Sequence, residues 1–149
     1  MLTIDADRLL SDLSELSAIG AYKTGVHRPS LSDAHMTACR WLIDKLAAIG
    51  LEPTHDGICN VVGRWPGVKR ALLAGSHLES QNHAGRLDGP LGVLYALEAA
   101  RALRAQRPDT PVGVDVASWF DEEGHFGYFL GSRSFVGALT EADLDKAVD

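Results

Sequence analysis

The chain has 149 residues, of which 46% are hydrophobic and 23% charged, and its formal net charge is −6. A chain of this length fits one domain with a hydrophobic core of its own, and no apolar run is long enough to cross a membrane. Acidic and basic residues are interspersed rather than grouped, so nucleic acid is not an expected partner, and the first residues lack the pattern of a secretory signal, which favours a cytoplasmic protein.

Two amphipathic helices are predicted in the first fifty residues. Leucine and isoleucine recur at three- and four-residue spacing over residues 5–19, and Gly20 ends that stripe. Ser30 or Ser32 can cap a second helix, which Gly50 ends.

From residue 51 onward the pattern is that of an α/β protein. The run 71–74 is short and wholly apolar, which predicts a strand buried on both faces. Strand, helix and strand then alternate as in a βαβ unit, so we expect a mainly parallel or mixed sheet flanked by helices. The predicted strands are 51–54, 58–65, 71–74 and 111–120, and the predicted helices are 91–103, 127–136 and 141–148.

Polar side chains follow two of these strands at the point where each strand ends. His77 and Glu79 come directly after the first, and Glu122 and Glu123 after the second, while Asp88 precedes the connecting helix. Ligands of open α/β sheets bind beyond the carboxyl ends of the strands. We therefore expect these residues to share one rim of the sheet.

One imidazole and several carboxylates form a ligand set for zinc or a similar divalent ion, and a carboxylate such as Asp88 can bridge two ions. Adjacent Glu122 and Glu123 cannot point the same way from an extended chain. One is therefore expected to bind metal and the other to act as general base, and residue types do not decide which. A surface histidine and solvated acidic loops are the alternative interpretation of the same residues.

Three ordered motifs strongly resemble the M20 metallopeptidase-like family. They are GSHLESQ at 75–81, GRLDGPLGV at 85–93 and FDEEG at 120–124. Within that family the pattern is most similar to the branch of N-carbamoyl-L-amino-acid hydrolase, β-ureidopropionase and allantoate amidohydrolase. Further matches lie at 25–28, 57–64 and 131–133, so the resemblance runs through essentially all 149 residues.

The resemblance implies a dinuclear hydrolase domain of the aminopeptidase-like type and a role for each motif residue. His77 would bind one ion, Asp88 would bridge both, and Glu123 would bind the second. Glu122 would be the general base in an attack of water on a carbamoyl or amidine-type carbon. The two ions would be Zn²⁺ or Mn²⁺, with Co²⁺ and Ni²⁺ as further possibilities.

This chain departs from the family pattern beside His77. The family usually has Asp where Glu79 stands, and there the carboxylate orients the imidazole of the metal ligand. Gln81 is assigned to substrate binding and favours the amidohydrolase branch over the peptidases.

Relatives in the family are longer, with an inserted dimerisation and lid domain and two further histidine ligands. We therefore expect residues 1–149 to be the amino-terminal part of the catalytic domain, inactive by itself, and the full-length protein to be a homodimer. His83 and His125 are the candidates within the chain to replace the missing ligands, although loop polarity explains both.

The predicted function is hydrolysis of C–N bonds in linear amides, with an N-carbamoyl-L-amino acid or a ureido compound as the small-molecule substrate. The alternatives are a non-catalytic truncated remnant with a weak metal half-site, and a fragment of an M20 aminopeptidase or allantoate amidohydrolase.

Overall fold

The main helices and strands occur in the predicted order, and two additional two-residue strands lie between the first two helices. The computed structural model describes residues 1–148. Its helices are α1 (Ala6–Ala18), α2 (Asp33–Ala48), α3 (Pro90–Gln106), α4 (Leu130–Phe135) and α5 (Glu141–Leu144). Its strands are β1 (Ala21–Tyr22), β2 (Gly25–Val26), β3 (Glu52–His55), β4 (Val61–Arg64), β5 (Arg70–Ser76) and β6 (Val112–Ser118). No helix within these residues has the length and apolarity needed to cross a membrane.

Side-chain caps explain where the helices begin. The Asp5 carboxylate accepts from the Arg8 N–H at 3.0 Å, and Ser32 Oγ accepts from the His35 N–H at 3.2 Å. Of the two serines proposed for α2, Ser32 is therefore the cap. Pro90 occupies the first turn of α3, where its missing N–H costs nothing.

The main sheet is mixed, with strand order β3-β4-β6-β5. Strands β5 and β6 are parallel and joined by α3, whereas β4 is antiparallel to β6. The predicted α/β fold with a mixed sheet flanked by helices is confirmed. Because β5 and β6 run in the same direction, the segments that follow them emerge at the same edge of the sheet.

The prediction that residues 71–74 are buried on both faces is wrong. Strand β5 is an edge strand among the described residues, and Leu72 and Leu73 are 65% and 38% exposed. A strand that is apolar on both faces becomes buried only if elements cover both faces and the edge. Within residues 1–148, only β6 pairs with β5.

Three predicted elements are each four residues shorter in the structure. Strand β4 begins at Val61, because the Asp56 carboxylate accepts from the N–H groups of Ile58 and Asn60 and curls the chain. Helix α4 is confined to 130–135. Helix α5 ends at Leu144, although its expected capping box between Thr140 and Asp143 is present.

One hydrophobic core joins α1, α2 and α3 to the sheet. Its fully buried members include Leu16, Leu42, Leu46, Leu97 and Val116. Burial of such side chains stabilises the fold by about 1.5–3 kcal/mol each. The core thereby fixes the strand ends from which the candidate site residues project.

Candidate metal and catalytic site

The His77 ring is held in one tautomer with its free nitrogen toward two carboxylates. Its Nδ1 lies 3.0 Å from the backbone oxygen of Glu79. A carbonyl oxygen only accepts, so Nδ1 carries the hydrogen and Nε2 presents a lone pair. Nε2 lies 3.3 Å from Glu122 Oε2 and 4.0 Å from Asp88 Oδ1. This is the orientation that a metal-binding histidine needs.

His77, Glu122 and Glu123 form a group whose donor atoms lie close enough together to hold a metal ion. One side-chain donor atom from each lies within 4.8 Å of the others. The two glutamates therefore point to the same place, and the expectation based on an extended chain is wrong. The chain is not extended there, because the preceding residue Asp121 has φ 55°, in the left-handed region.

Asp88 lies at the same rim but is open to solvent. Its side chain is 84% exposed, whereas the His77 side chain is 5% exposed. The following residue, Gly89, has φ 78°, and a Cβ there would lie 2.5 Å from the His77 ring. A glycine is therefore required where the chain passes the imidazole. The rim thus holds the three predicted metal ligands and the predicted general base Glu122, and their individual roles stay predictions.

Glu79 is fully buried. Its carboxylate does not accept the imidazole hydrogen, which is the contact that the family's Asp makes at this position. Its Oε1 accepts from the Glu122 backbone N–H at 2.6 Å and lies 3.6 Å from His77 Nδ1. The imidazole hydrogen is thus accepted by the Glu79 carbonyl, and the carboxylate holds the backbone of Glu122. Burial raises the pKa of the Glu79 carboxyl.

Two further ionisable residues lie buried behind Glu79. Arg28 donates to the carbonyls of Leu16, Ile19 and Leu78, and burial lowers its pKa to about 10, so it remains a cation at neutral pH. Nδ1 of His35 accepts from a backbone N–H of the preceding loop, and burial lowers the pKa of His35 to about 4.

Sequence patterns predict no role for Arg28 or His35. Arg28 lies within the motif match at 25–28, and the burial of His35 follows from its place on the inner face of α2. Asp121 lies within the motif at 120–124, which predicts no separate role for it. The available signal for Asp121 is an aspartate that follows a predicted interior strand.

Gln81 contacts the rim, whereas the candidate histidines His83 and His125 make their contacts elsewhere. Gln81 Nε2 donates to Glu123 Oε2 at 2.9 Å, so it contacts a predicted ligand. His83 stacks on His27 with ring centroids 4.5 Å apart, and His125 Nδ1 lies 3.3 Å from Ser30 Oγ. Neither histidine belongs to the metal-binding group found within the described residues. A substrate contact of Gln81 stays a prediction.

Comparison with known proteins gives consistent matches. The sequence profile described as Peptidase family M28 matches residues 60–148. The chain is 33% identical over 155 residues to the N-carbamoyl-L-amino-acid amidohydrolase of Pseudomonas sp. (strain NS671), which covers 99% of this chain and 37% of the relative. It is 31% identical to the ureidoglycolate hydrolase of Arabidopsis thaliana, over 99% of this chain and 33% of the relative.

Among solved structures, the chain is similar to an amidase of the hydantoinase/carbamoylase family from Burkholderia phymatum. The TM-score is 0.93 and the identity 47%, over 97% of this chain and 36% of the other. The resemblance to the carbamoyl amidohydrolase branch is thereby confirmed. The chain spans about a third of the length of the relatives it matches.

Proposed function

Because the chain belongs to peptidase family M28 and matches amidohydrolases of the carbamoyl branch over nearly all its length, we propose that it is part of a metal-dependent amidohydrolase. The reaction is hydrolysis of a C–N bond in a linear amide other than a peptide bond. The proposed substrates are N-carbamoyl-L-amino acids or related ureido compounds, supported by the relatives' names. The M20 label and the cytoplasmic location stay predictions.

One observation carries the proposal: the His77 Nε2 lone pair faces the carboxylates of Glu122 and Asp88. A lone pair and two anionic groups repel one another unless a positive centre lies between them, which a proton on Nε2 or a metal ion can supply. Imidazole and carboxylate suit Zn²⁺ and Mn²⁺, and Co²⁺ or Ni²⁺ is compatible. The residues present therefore fit a divalent ion.

Each residue at the rim has a proposed task. His77, Asp88 and Glu123 would hold two ions, with Asp88 between them. A divalent ion supplies Lewis-acid polarisation of the substrate carbonyl and lowers the pKa of water. Glu122 takes the proton of the attacking water as the new C–O bond forms, and returns it to the leaving nitrogen as the C–N bond breaks. Its half-exposed carboxylate lies open for that exchange.

The rest of a complete enzyme is proposed to come from sequence outside these 149 residues. This includes two further histidine ligands, an inserted lid and dimerisation domain, and the homodimer contact. The coverage of about a third of the relatives' length supports this assignment.

The proposal is tested by titrating the purified chain with Co²⁺ and Zn²⁺ and measuring affinity by calorimetry. We expect His77→Ala to weaken binding at least about a hundredfold, because it removes the one imidazole of the group. His27→Ala, at an exposed histidine outside the group, is the matched control and should bind as the wild type does. The same titration is made on the longest natural form of the protein, which carries any further ligands, and a form that binds neither ion would overturn the metal site.

Turnover is measured in parallel with N-carbamoyl amino acids, allantoate, ureidoglycolate and a dipeptide as substrates. We expect no turnover by the chain alone. Turnover that Glu122→Gln abolishes would show that the present residues suffice and that the chain is not incomplete. Preference for the dipeptide in a longer protein would favour an aminopeptidase.

A second candidate is a non-catalytic protein that holds one ion at a half-site. The exposure of Asp88 and the single histidine of the group favour it. Binding of one ion per chain without turnover in the longest natural form of the protein would support this candidate over the enzyme.

A further inference from the structure

Asp121 is a fully buried carboxylate that accepts four hydrogen bonds. Its Oδ1 accepts from Ser30 Oγ at 2.8 Å and from the His125 N–H at 2.9 Å. Its Oδ2 accepts from the N–H groups of Phe126 at 3.0 Å and Gly127 at 2.8 Å. All four partners donate, which is the set that an ionised carboxylate satisfies and a neutral amide does not.

The segment that Asp121 organises is the β6–α4 loop, residues 119–129. Asn60 closes its base: Asn60 Oδ1 accepts from the Phe120 N–H at 2.9 Å, and Asn60 Nδ2 donates to the Gly131 carbonyl at 3.0 Å. The Gly131 N–H also donates to the Phe120 carbonyl at 2.9 Å. Glu122 and Glu123 therefore project from a loop whose two ends are hydrogen-bonded together and whose interior is occupied by the Asp121 carboxylate.

The backbone at Asp121 sends neighbouring side chains in opposite directions. Its φ of 55° turns the chain, so that its own carboxylate lies inside the loop while those of Glu122 and Glu123 converge on His77. A non-glycine residue in this conformation is disfavoured and persists only when its surroundings hold it. The four hydrogen bonds supply that hold.

We propose that Asp121 is the positioning residue for Glu122 and Glu123, and that it sets the metal affinity of the rim without contacting the ion. This inference rests on the proposed function, because it assigns Asp121 a part in that same site. Groups that orient metal ligands typically change metal affinity by about 10–100-fold when they are altered. Ser30 extends the arrangement to the loop before α2, since its hydroxyl is one of the four donors.

The test compares Asp121→Asn with Asp115→Asn in the 149-residue chain. Asp115 lies within β6 and, like Asp121, is buried. Its carboxylate accepts from the Trp65 backbone N–H at 2.7 Å and lies 3.5 Å from Arg64 Nη1. Among the described residues, none of its hydrogen bonds is made to a rim residue. We expect Asp121→Asn to weaken Co²⁺ affinity about 10–100-fold and to change the absorption spectrum of the bound Co²⁺. Amides of residues 125–127 should also lose protection from hydrogen exchange. Asp115→Asn should leave affinity and spectrum unchanged, whatever it does to the melting temperature.

The outcomes separate this inference from the proposed function. Wild-type protein that binds no ion even in its longest natural form defeats both, and this is measured before any variant is made. If only the longer form binds, the variants are compared in that form. Wild-type binding with unchanged affinity and spectrum in Asp121→Asn defeats the inference alone, even if exchange becomes faster. If Asp121→Asn does not fold, Ser30→Ala removes one donor of the four, and an affinity equal to that of the wild type in this variant would overturn the proposal. We expect it to bind about two- to fivefold more weakly.

Discussion

The two loops that follow the parallel strands β5 and β6 are held in place to very different degrees. The β6–α4 loop is closed by Asn60 and filled by the Asp121 carboxylate. The β5–α3 loop, residues 77–89, is fixed at His77 and again where Ala84 pairs with Val26, and its residues 85–88 are exposed. The fold therefore holds the imidazole and the backbone of the two glutamates in place, whereas the carboxylate of Asp88 is open to solvent.

The largest expected effect comes from adding one methyl group at Gly131, in the first turn of α4, where Asn60 closes the β6–α4 loop. A Cβ at Gly131 would overlap Asn60 Oδ1 and the Phe120 backbone nitrogen, and would lie 2.8 Å from the Phe120 carbonyl oxygen. Gly131→Ala should therefore lower the free energy of unfolding by about 3 kcal/mol, since none of these atoms can move freely. Chemical denaturation measures this directly.

Gly85→Ala is the matched change in the open loop. Nothing lies within 4 Å of a Cβ at Gly85, so its unfolding free energy should stay within about 0.5 kcal/mol of the wild type. Equal losses in the two variants would contradict the contrast between a closed and an open loop.

A smaller effect is expected from acid, through His35 beneath the closed loop. Burial and the nearby Arg28 cation lower the pKa of His35 to about 4, below the ordinary value of about 6.5. The unfolded chain therefore binds more protons between these two pH values, and stability falls as the pH falls through that window. For this one group the loss is about 2 kcal/mol at pH 5.

The check is the pH dependence of unfolding between pH 7 and pH 5. His35→Gln should have a shallower slope than the wild type, because glutamine does not titrate. His27→Gln, at an exposed histidine of the β2 end, should keep the wild-type slope. A slope unchanged in His35→Gln would show that other groups cause the acid sensitivity.

The smallest expected effect concerns Gln81 in the open loop. Its amide donates to Glu123 Oε2 at 2.9 Å in an exposed position, and such a bond contributes about 0.5 kcal/mol. Gln81→Ala should weaken metal binding about two- to threefold by titration calorimetry. Asn82→Ala, next in the chain, should not change it, and a loss as large as that of Asp121→Asn would contradict the proposed division between the loops.

Local sequence signals predicted most of the elements, and failed where side chains far apart in sequence meet. Helices α1, α2 and α3 follow from apolar spacing and local caps, which act over three or four residues. Strand β4 and helix α4 are shorter than predicted because Asp56 and Asp121 bind backbone groups that the periodicity assigned to regular structure. The Glu79 carboxylate holds the Glu122 backbone, a contact between residues 43 apart that local patterns do not predict.

The sequence by itself determined the α/β architecture, the carbamoyl amidohydrolase resemblance and the residues that share the rim. These depend on the succession of elements along the chain and on short motifs, both of which are local properties of the sequence. Only the tertiary structure decided that β5 is exposed, that Glu122 and Glu123 converge, and that Asp121 lies inside its loop. These features depend on hydrogen bonds such as that between Ser30 and Asp121, which are 91 residues apart in the chain. No spacing rule reaches that far, since such a bond exists only after the core has brought the two segments together.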